Sequence, residues 1–154
     1  MSSLWLGKEP LLLASTSATR RILLESAGLP IAVEAPGVDE RLIEAAIQGS
    51  PQDLASLLAA KKALAVSCRR PARIVVGADQ VLALDGAIMH KPEHGAAARR
   101  QLARLSGRTH HLHSAFAIAQ DGAILREGFD TARLTMRRSM MPRSAVTSMS
   151  PART

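Results

Sequence analysis

At 154 residues the chain is long enough for one domain with a real hydrophobic core and too short for two comfortable ones. Aromatic residues make up only 2 % against 47 % hydrophobic, so the core must come from Ala, Leu, Val and Ile, which suits α/β layers better than an aromatic-rich β sandwich. The formal charge of +7 points to an anionic partner, while Cys68, the only cysteine, excludes an intrachain disulfide or a cysteine metal cluster and suits a reducing cytoplasm.

The opening, Met1 to Pro10, lacks the apolar stretch and cleavage pattern of a signal peptide, and no apolar run approaches the roughly 20 residues that span a bilayer. Leu11 to Ala14 reads as a short buried strand ending at the hydroxyl-rich turn Ser15-Thr16-Ser17. A helix is predicted from Ala18 to Ala27, stopped by Gly28 and Pro30, followed by a strand from Ile31 to Ala35. Two helices come next, Arg41 to Gln48 and Pro51 to Ser67, the second with Ser50 as cap and Pro51 in its first turn. Ile74 to Val76 reads as a buried strand, broken at Gly77-Ala78-Asp79-Gln80 before Val81 to Leu84 resumes it. Asp85-Gly86 is a hairpin signal that returns the chain through Ala87 to His90. Lys91-Pro92 ends that strand, Gly95 to Leu105 is a helix stopped by Gly107, and His111 to Ala119 and Ala123 to Met136 are strands joined at Asp121-Gly122. Strands and helices alternating early, with hairpins late, predict a mixed sheet flanked by helices. After Met136 the periodicity stops, and residues 138–154 read as an irregular tail.

Chemistry concentrates in few places. Backbone N–H groups and the positive end of a helix dipole lie where the Ser15 to Arg21 segment enters its helix, so adjacent arginines there are misplaced unless an anion binds among them. Ser15, Ser17, the helix amides and Arg20 would supply the donors a triphosphate needs; the alternative is a plain Ser cap with solvent-facing arginines. Asp79 interrupts an apolar run, so burial would require a cation or a proton-transfer role, whereas a turn at Gly77 would leave it exposed. Asp39-Glu40 is a loop acid pair of the type that takes Mg²⁺ or Mn²⁺, though such pairs also occur as solvated charge. Lys61, Lys62 and Lys91 are ordinary surface types, Lys91 with a backbone restricted by Pro92. Of His110, His111 and His113, only the last two share a strand face, which argues against one metal site.

These pieces occur in a known order. Leu-Ala-Ser-Thr-Ser with Arg20-Arg21, Val38-Asp39-Glu40, Lys62-Ala63, Val76-Gly77-Ala78-Asp79-Gln80, Lys91-Pro92 and Leu105-Ser106-Gly107-Arg108-Thr109-His110 together resemble the Maf family of nucleotide pyrophosphatases. The resemblance implies an elongated mixed sheet with a central cleft, often paired as a homodimer. It also implies cleavage of a nucleoside triphosphate between the α and β phosphates, with a divalent cation, Mg²⁺ or Mn²⁺. In that reading Asp79 activates water, Ser15, Ser17, Arg20, Lys62 and Lys91 surround the phosphates, and Glu40 helps Asp79 hold the metal. Gln80 and the Ala-Ser-Thr-Ser wording resemble the branch acting on 7-methyl-GTP, while Thr19 stands where that branch tends to carry a Trp that could stack on the base.

Family members continue for about another 50 residues beyond the last predicted strand, through a Gly-rich segment with an aromatic and a final helix. Neither is present here, so residues 1–137 read as an incomplete domain and the tail as the product of a frameshift or truncation. Two alternatives to an active enzyme follow: an impaired nucleotide-binding protein, and a nucleic-acid binder. The second is weak, because Arg138, Arg143 and Arg153 lie in the tail and leave +4 for the rest.

Overall fold

The computed structural model describes residues 5–138. The elements in chain order are β1 (Leu11–Ala14), α1 (Ala18–Ser26), β2 (Ile31–Glu34), α2 (Glu40–Ala46), α3 (Pro51–Arg69), β3 (Val75–Leu84), β4 (Ala87–Met89), α4 (Gly95–Leu105), β5 (Thr109–Gln120) and β6 (Ala123–Thr135). They build a six-stranded mixed sheet in the order β2-β1-β3-β5-β6, with β4 paired to β3. β1 is parallel to both β2 and β3, and all other pairings are antiparallel. The mixed sheet flanked by helices is the architecture that the sequence pattern predicts. The irregular tail, from residue 139 on, lies outside the described residues.

Local chemistry explains the element ends. In α3, Ser50 accepts from Asp53 N at 3.2 Å and Asp53 Oδ2 accepts from Ser50 N at 2.8 Å, a reciprocal capping box in front of Pro51. Asp85-Gly86 and Asp121-Gly122 both turn with two consecutive positive φ angles, 51° and 79° in the first and 51° and 74° in the second, which match the right-handed twist of the flanking strands. The second hairpin is pinned to α3, since Ser67 Oγ accepts from Gly122 N at 2.9 Å.

The main core lies between α3 and the sheet. Leu54, Ala55, Leu58, Ala59 and Ala63 of α3 meet Val81 of β3 and Ala115, Ala117 and Ala119 of β5. The strand residues recur at every second position, so one sheet face presents small side chains and the helix packs close. Gly77 is the tightest point: a Cβ there would stand 2.6 Å from Ala63 N, so only glycine lets α3 lie this near β3. On the other face Leu11, Leu13 and Val76 pack with Leu24 of α1 and Leu29. Helices therefore cover both sides of the parallel part of the sheet.

One expectation is overturned. The predicted break at Gly77 to Gln80 is absent, and β3 runs continuously with Asp79 opposite Ala115. Low strand propensity for Asp is outweighed because β5 pairs along the whole of this segment and a cation from α3 meets the carboxylate. His111 and His113 do share a face, with ring centroids 6.1 Å apart and planes at 19°.

Candidate active site

The site forms where β1, β3 and α3 converge. β1 ends at Ala14, and Ser15, itself buried, turns the chain by donating its N–H to Leu13 O at 2.9 Å. Ser15 Oγ then accepts from Ser17 N at 3.1 Å and from Arg20 Nη1 at 3.3 Å, while Ser17 caps α1 by accepting from Arg20 N at 3.4 Å. The two arginines part company. Arg20 turns inward, with Nη2 4.0 Å from Asp79 Oδ1, whereas Arg21 is exposed and pairs with Glu25 one helical turn on, at 3.7 Å. The plain-cap alternative thus describes Ser17 and Arg21 but not Arg20.

Asp79 is buried, which removes the reading that put it in an exposed turn. It faces α3 together with Gly77 and Val81, and Lys62 Nζ donates to its Oδ1 at 2.5 Å. The same ammonium lies 2.7 Å from Glu40 Oε1. Lys62 has only 5 % of its side chain exposed, contrary to the ordinary surface lysine expected of it. The apolar stripe Leu54, Leu58, Ala59, Ala63, Val66 passes through position 62 at helical spacing and leaves Lys61 outside, a signal present in the sequence. Asp39 also departs from expectation: its Oδ1 accepts from Leu42 N at 3.1 Å, so it caps α2, and only Glu40 of the acid pair reaches the site.

Burial raises the Asp79 carboxyl above its ordinary range; hydrogen bonding and charge from Lys62 and the charge of Arg20 pull against this, and Glu40 adds to it. A carboxyl held high in this way takes a proton more readily than an exposed aspartate does.

Two adjoining cavities meet at this centre. One, of about 450 Å³, is bordered by Ser15, Ser17, Thr19, Arg20, Lys62 and Lys91, and its lining is almost wholly polar. The other, of about 290 Å³, shares Arg20, Glu40, Lys62 and Lys91 with the first and extends past Asp79 towards Glu44 and His90. Ser15, Ser17, Thr19, Arg20, Lys62, Lys91, Glu40 and Asp79 are thus brought together. Gln80 is set apart: its amide donates to Ser114 Oγ at 2.9 Å on the sheet face away from Asp79, and it only borders the second cavity. Glu44 and His90 were not singled out in the sequence, although Glu44 follows Glu40 by one helical turn and His90 precedes Lys91.

The donor set suits a divalent cation. Glu40 Oε1 and Asp79 Oδ1 already converge on one positive charge, the Lys62 ammonium, and hard carboxylate oxygens are what Mg²⁺ and Mn²⁺ take. Among the described residues no third carboxylate, His or Cys joins them, so the remaining ligands would be water and phosphate.

A mixed α/β sheet carrying a hydroxyl- and cation-lined cavity beside a buried carboxylate defines the class: an α/β protein with a polar, cation-rich cleft. A family model described as "Maf-like protein" matches residues 10–146, and the chain belongs to that family. A protein of Bradyrhizobium diazoefficiens named nucleoside triphosphate pyrophosphatase is 48 % identical over 135 residues, covering 87 % of this chain and 67 % of the relative. A protein of Rhodopseudomonas palustris strain BisB18 with the same name is 46 % identical over 136 residues, covering 88 % and 67 %. One of Brucella abortus biovar 1 named 7-methyl-GTP pyrophosphatase is 44 % identical over 130 residues, covering 82 % and 65 %. The chain thus spans about two thirds of the length of these relatives.

Proposed function

We propose that the chain hydrolyses nucleoside triphosphates, including modified ones, to the monophosphate and pyrophosphate. The observation that carries this is the buried Asp79 carboxylate set against Lys62 and Arg20 at the edge of a cavity lined by Ser15, Ser17, Arg20, Lys62 and Lys91. The names of its relatives support the same reading.

In this reading the triphosphate lies in the first cavity, where the α1 amides, the hydroxyls of Ser15 and Ser17, Arg20 and Lys91 offset its charge. Asp79 Oδ1 is engaged by Lys62, which leaves its second oxygen for a water. That oxygen orients the water and takes its proton as the water oxygen bonds to the α phosphorus. The bond from that phosphorus to the bridging oxygen breaks, and pyrophosphate leaves with the electron pair. Lys62 stands beside the reacting centre to offset the charge that builds there. Glu40 and Asp79 would hold the divalent metal, which supplies Lewis-acid charge to the phosphate oxygens when bound. A cytoplasmic site of action is part of this reading, and the single cysteine suits such a reducing compartment.

The test is release of pyrophosphate in the presence of Mg²⁺ or Mn²⁺ from nucleoside triphosphates by the wild-type chain and by Asp79→Asn. The amide keeps the shape of the carboxylate but cannot take the proton, so the rate should fall by roughly 10²–10⁴. Equal rates in the two proteins overturn the assignment.

A further inference from the structure

We propose that the exposed face of α4, continued by Arg137 and Arg138, binds the sugar-phosphate backbone of a duplex nucleic acid. This is a second site, apart from the cleft, and it uses none of the residues that surround Asp79.

The fold gathers the chain's excess charge in one place. Residues 85–108 carry Lys91, Arg99, Arg100, Arg104 and Arg108 against Asp85 and Glu93. Everywhere else between residues 5 and 136, basic and acidic residues balance at eleven of each. Arg137 and Arg138 then return to the same region: Arg137 O accepts from Gly107 N at 3.4 Å, and the Arg138 side chain lies over Gly107, at the end of α4. A total charge too small to suggest a nucleic-acid partner when spread over a whole surface becomes a single basic face.

Helical spacing orients that face. Arg99, Arg100 and Arg104 share one side of α4 with Ala96 and Ala103, and all five are exposed. Ala98, Leu102 and Leu105 lie on the opposite side, where Leu105 packs with Leu84 and Met89. Arg21, Arg69, Arg70 and Arg73 each meet a glutamate, and Arg108 meets Asp85. Among the described residues Arg99, Arg100, Arg104, Arg137 and Arg138 have no acidic partner. Arg104 complements the dipole at the end of the helix, but that does not account for Arg99 and Arg100 in its middle.

The side chains present select the partner. Guanidinium forks match phosphate oxygens, and Arg100 and Arg104 stand about 6 Å apart along the helix axis, comparable to successive phosphates on one strand. The alanines between them let a backbone approach closely. Residues 85–108, 137 and 138 include no Phe, Trp or Tyr, so the face offers no platform for unstacked bases, which favours a duplex over a single strand. The arginine side of α4 also presents no large apolar group to insert into a lipid surface. Recognition of this kind reads charge and not base sequence.

Fluorescence anisotropy with a labelled DNA duplex of about 20 base pairs tests this on the whole chain, over a salt series starting near 50 mM. Wild-type protein should bind with a log–log salt slope of about −3 to −5, one phosphate for each free arginine engaged. Combining Arg99→Gln, Arg100→Gln and Arg104→Gln, all at exposed positions, should weaken binding at least about tenfold and flatten the slope by about 3. Removing three exposed charges elsewhere, with Lys8→Gln, Arg41→Gln and Lys61→Gln, should cost less than about threefold. Equal loss in the two triple variants, or no loss in the first, would overturn the proposal. Loss confined to Arg143→Gln with Arg153→Gln would do the same by moving the binding to the end of the chain. Tighter binding to the single strand, or to phosphatidylserine vesicles, would overturn the choice of partner. Asp79→Asn should leave duplex affinity unchanged and the α4 variant should release pyrophosphate at the wild-type rate, so failure of either reading is visible without the other.

Discussion

Asp79 and Lys62 form a nearly dry ion pair, with 8 % and 5 % of their side chains exposed. Such a pair contributes little net stability while intact, because desolvation offsets attraction, but losing one partner leaves an uncompensated buried charge. Lys62→Met should therefore cost about 3 kcal/mol in urea unfolding, and adding Asp79→Asn should recover part of it. Full additivity of the two changes would contradict the pairing. The titration has a definite sign. Burial sets the folded Asp79 pKa above its ordinary 3.8, so the folded state binds this proton more tightly than the unfolded state does. This group therefore adds stability as pH falls from the folded value through 3.8, the reverse of an acid held ionised. Carbon-13 titration of the metal-free protein should show Asp79 above the usual aspartate range, and higher still in Lys62→Met. A value below 3.8 would refute the account.

Among the elements, α3 does most to assemble the site, and Gly77 sets its distance from β3. A methyl group there meets the backbone at Ala63 N, 2.6 Å away, which cannot swing aside as a flexible side chain could. Gly77→Ala should lower stability by about 1–3 kcal/mol through overpacking and also weaken tripolyphosphate binding, since Lys62 rides on the displaced helix. An unchanged urea midpoint would show that the helix yields without cost. Element boundaries were largely legible because caps and turns are local: Ser50 with Pro51, Asp85-Gly86 and Asp121-Gly122 each act within four residues. The predicted break at Gly77 to Gln80 failed for a non-local reason. Pairing to β5 and the Lys62 charge keep that segment extended, and neither is written in the segment itself.

For the molecule as a whole, the proposed substrate would bridge the β1–α1 turn, α2, α3, β3 and the segment after β4. A ligand that binds only the assembled state adds about 2.7 kcal/mol at a hundredfold excess over its dissociation constant. Scanning calorimetry with Mg²⁺ and a non-cleavable triphosphate should therefore raise Tm by roughly 5–10 °C, and EDTA should reverse part of the rise. No shift at saturating ligand would speak against a cleft built from these separate elements.

Sequence by itself determined most strands and helices, though not the continuity of β3, together with their caps and hairpins and the hydroxyl-capped start of α1, because each depends on side chains meeting backbone a few residues away. Only the tertiary structure decided that Asp79 is buried, that Lys62 rather than solvent meets it, and that Glu44 and His90 border a second cavity. Those facts join residues 17 to 46 positions apart, where charge and burial depend on which elements pack together and not on the identity of neighbours in the chain.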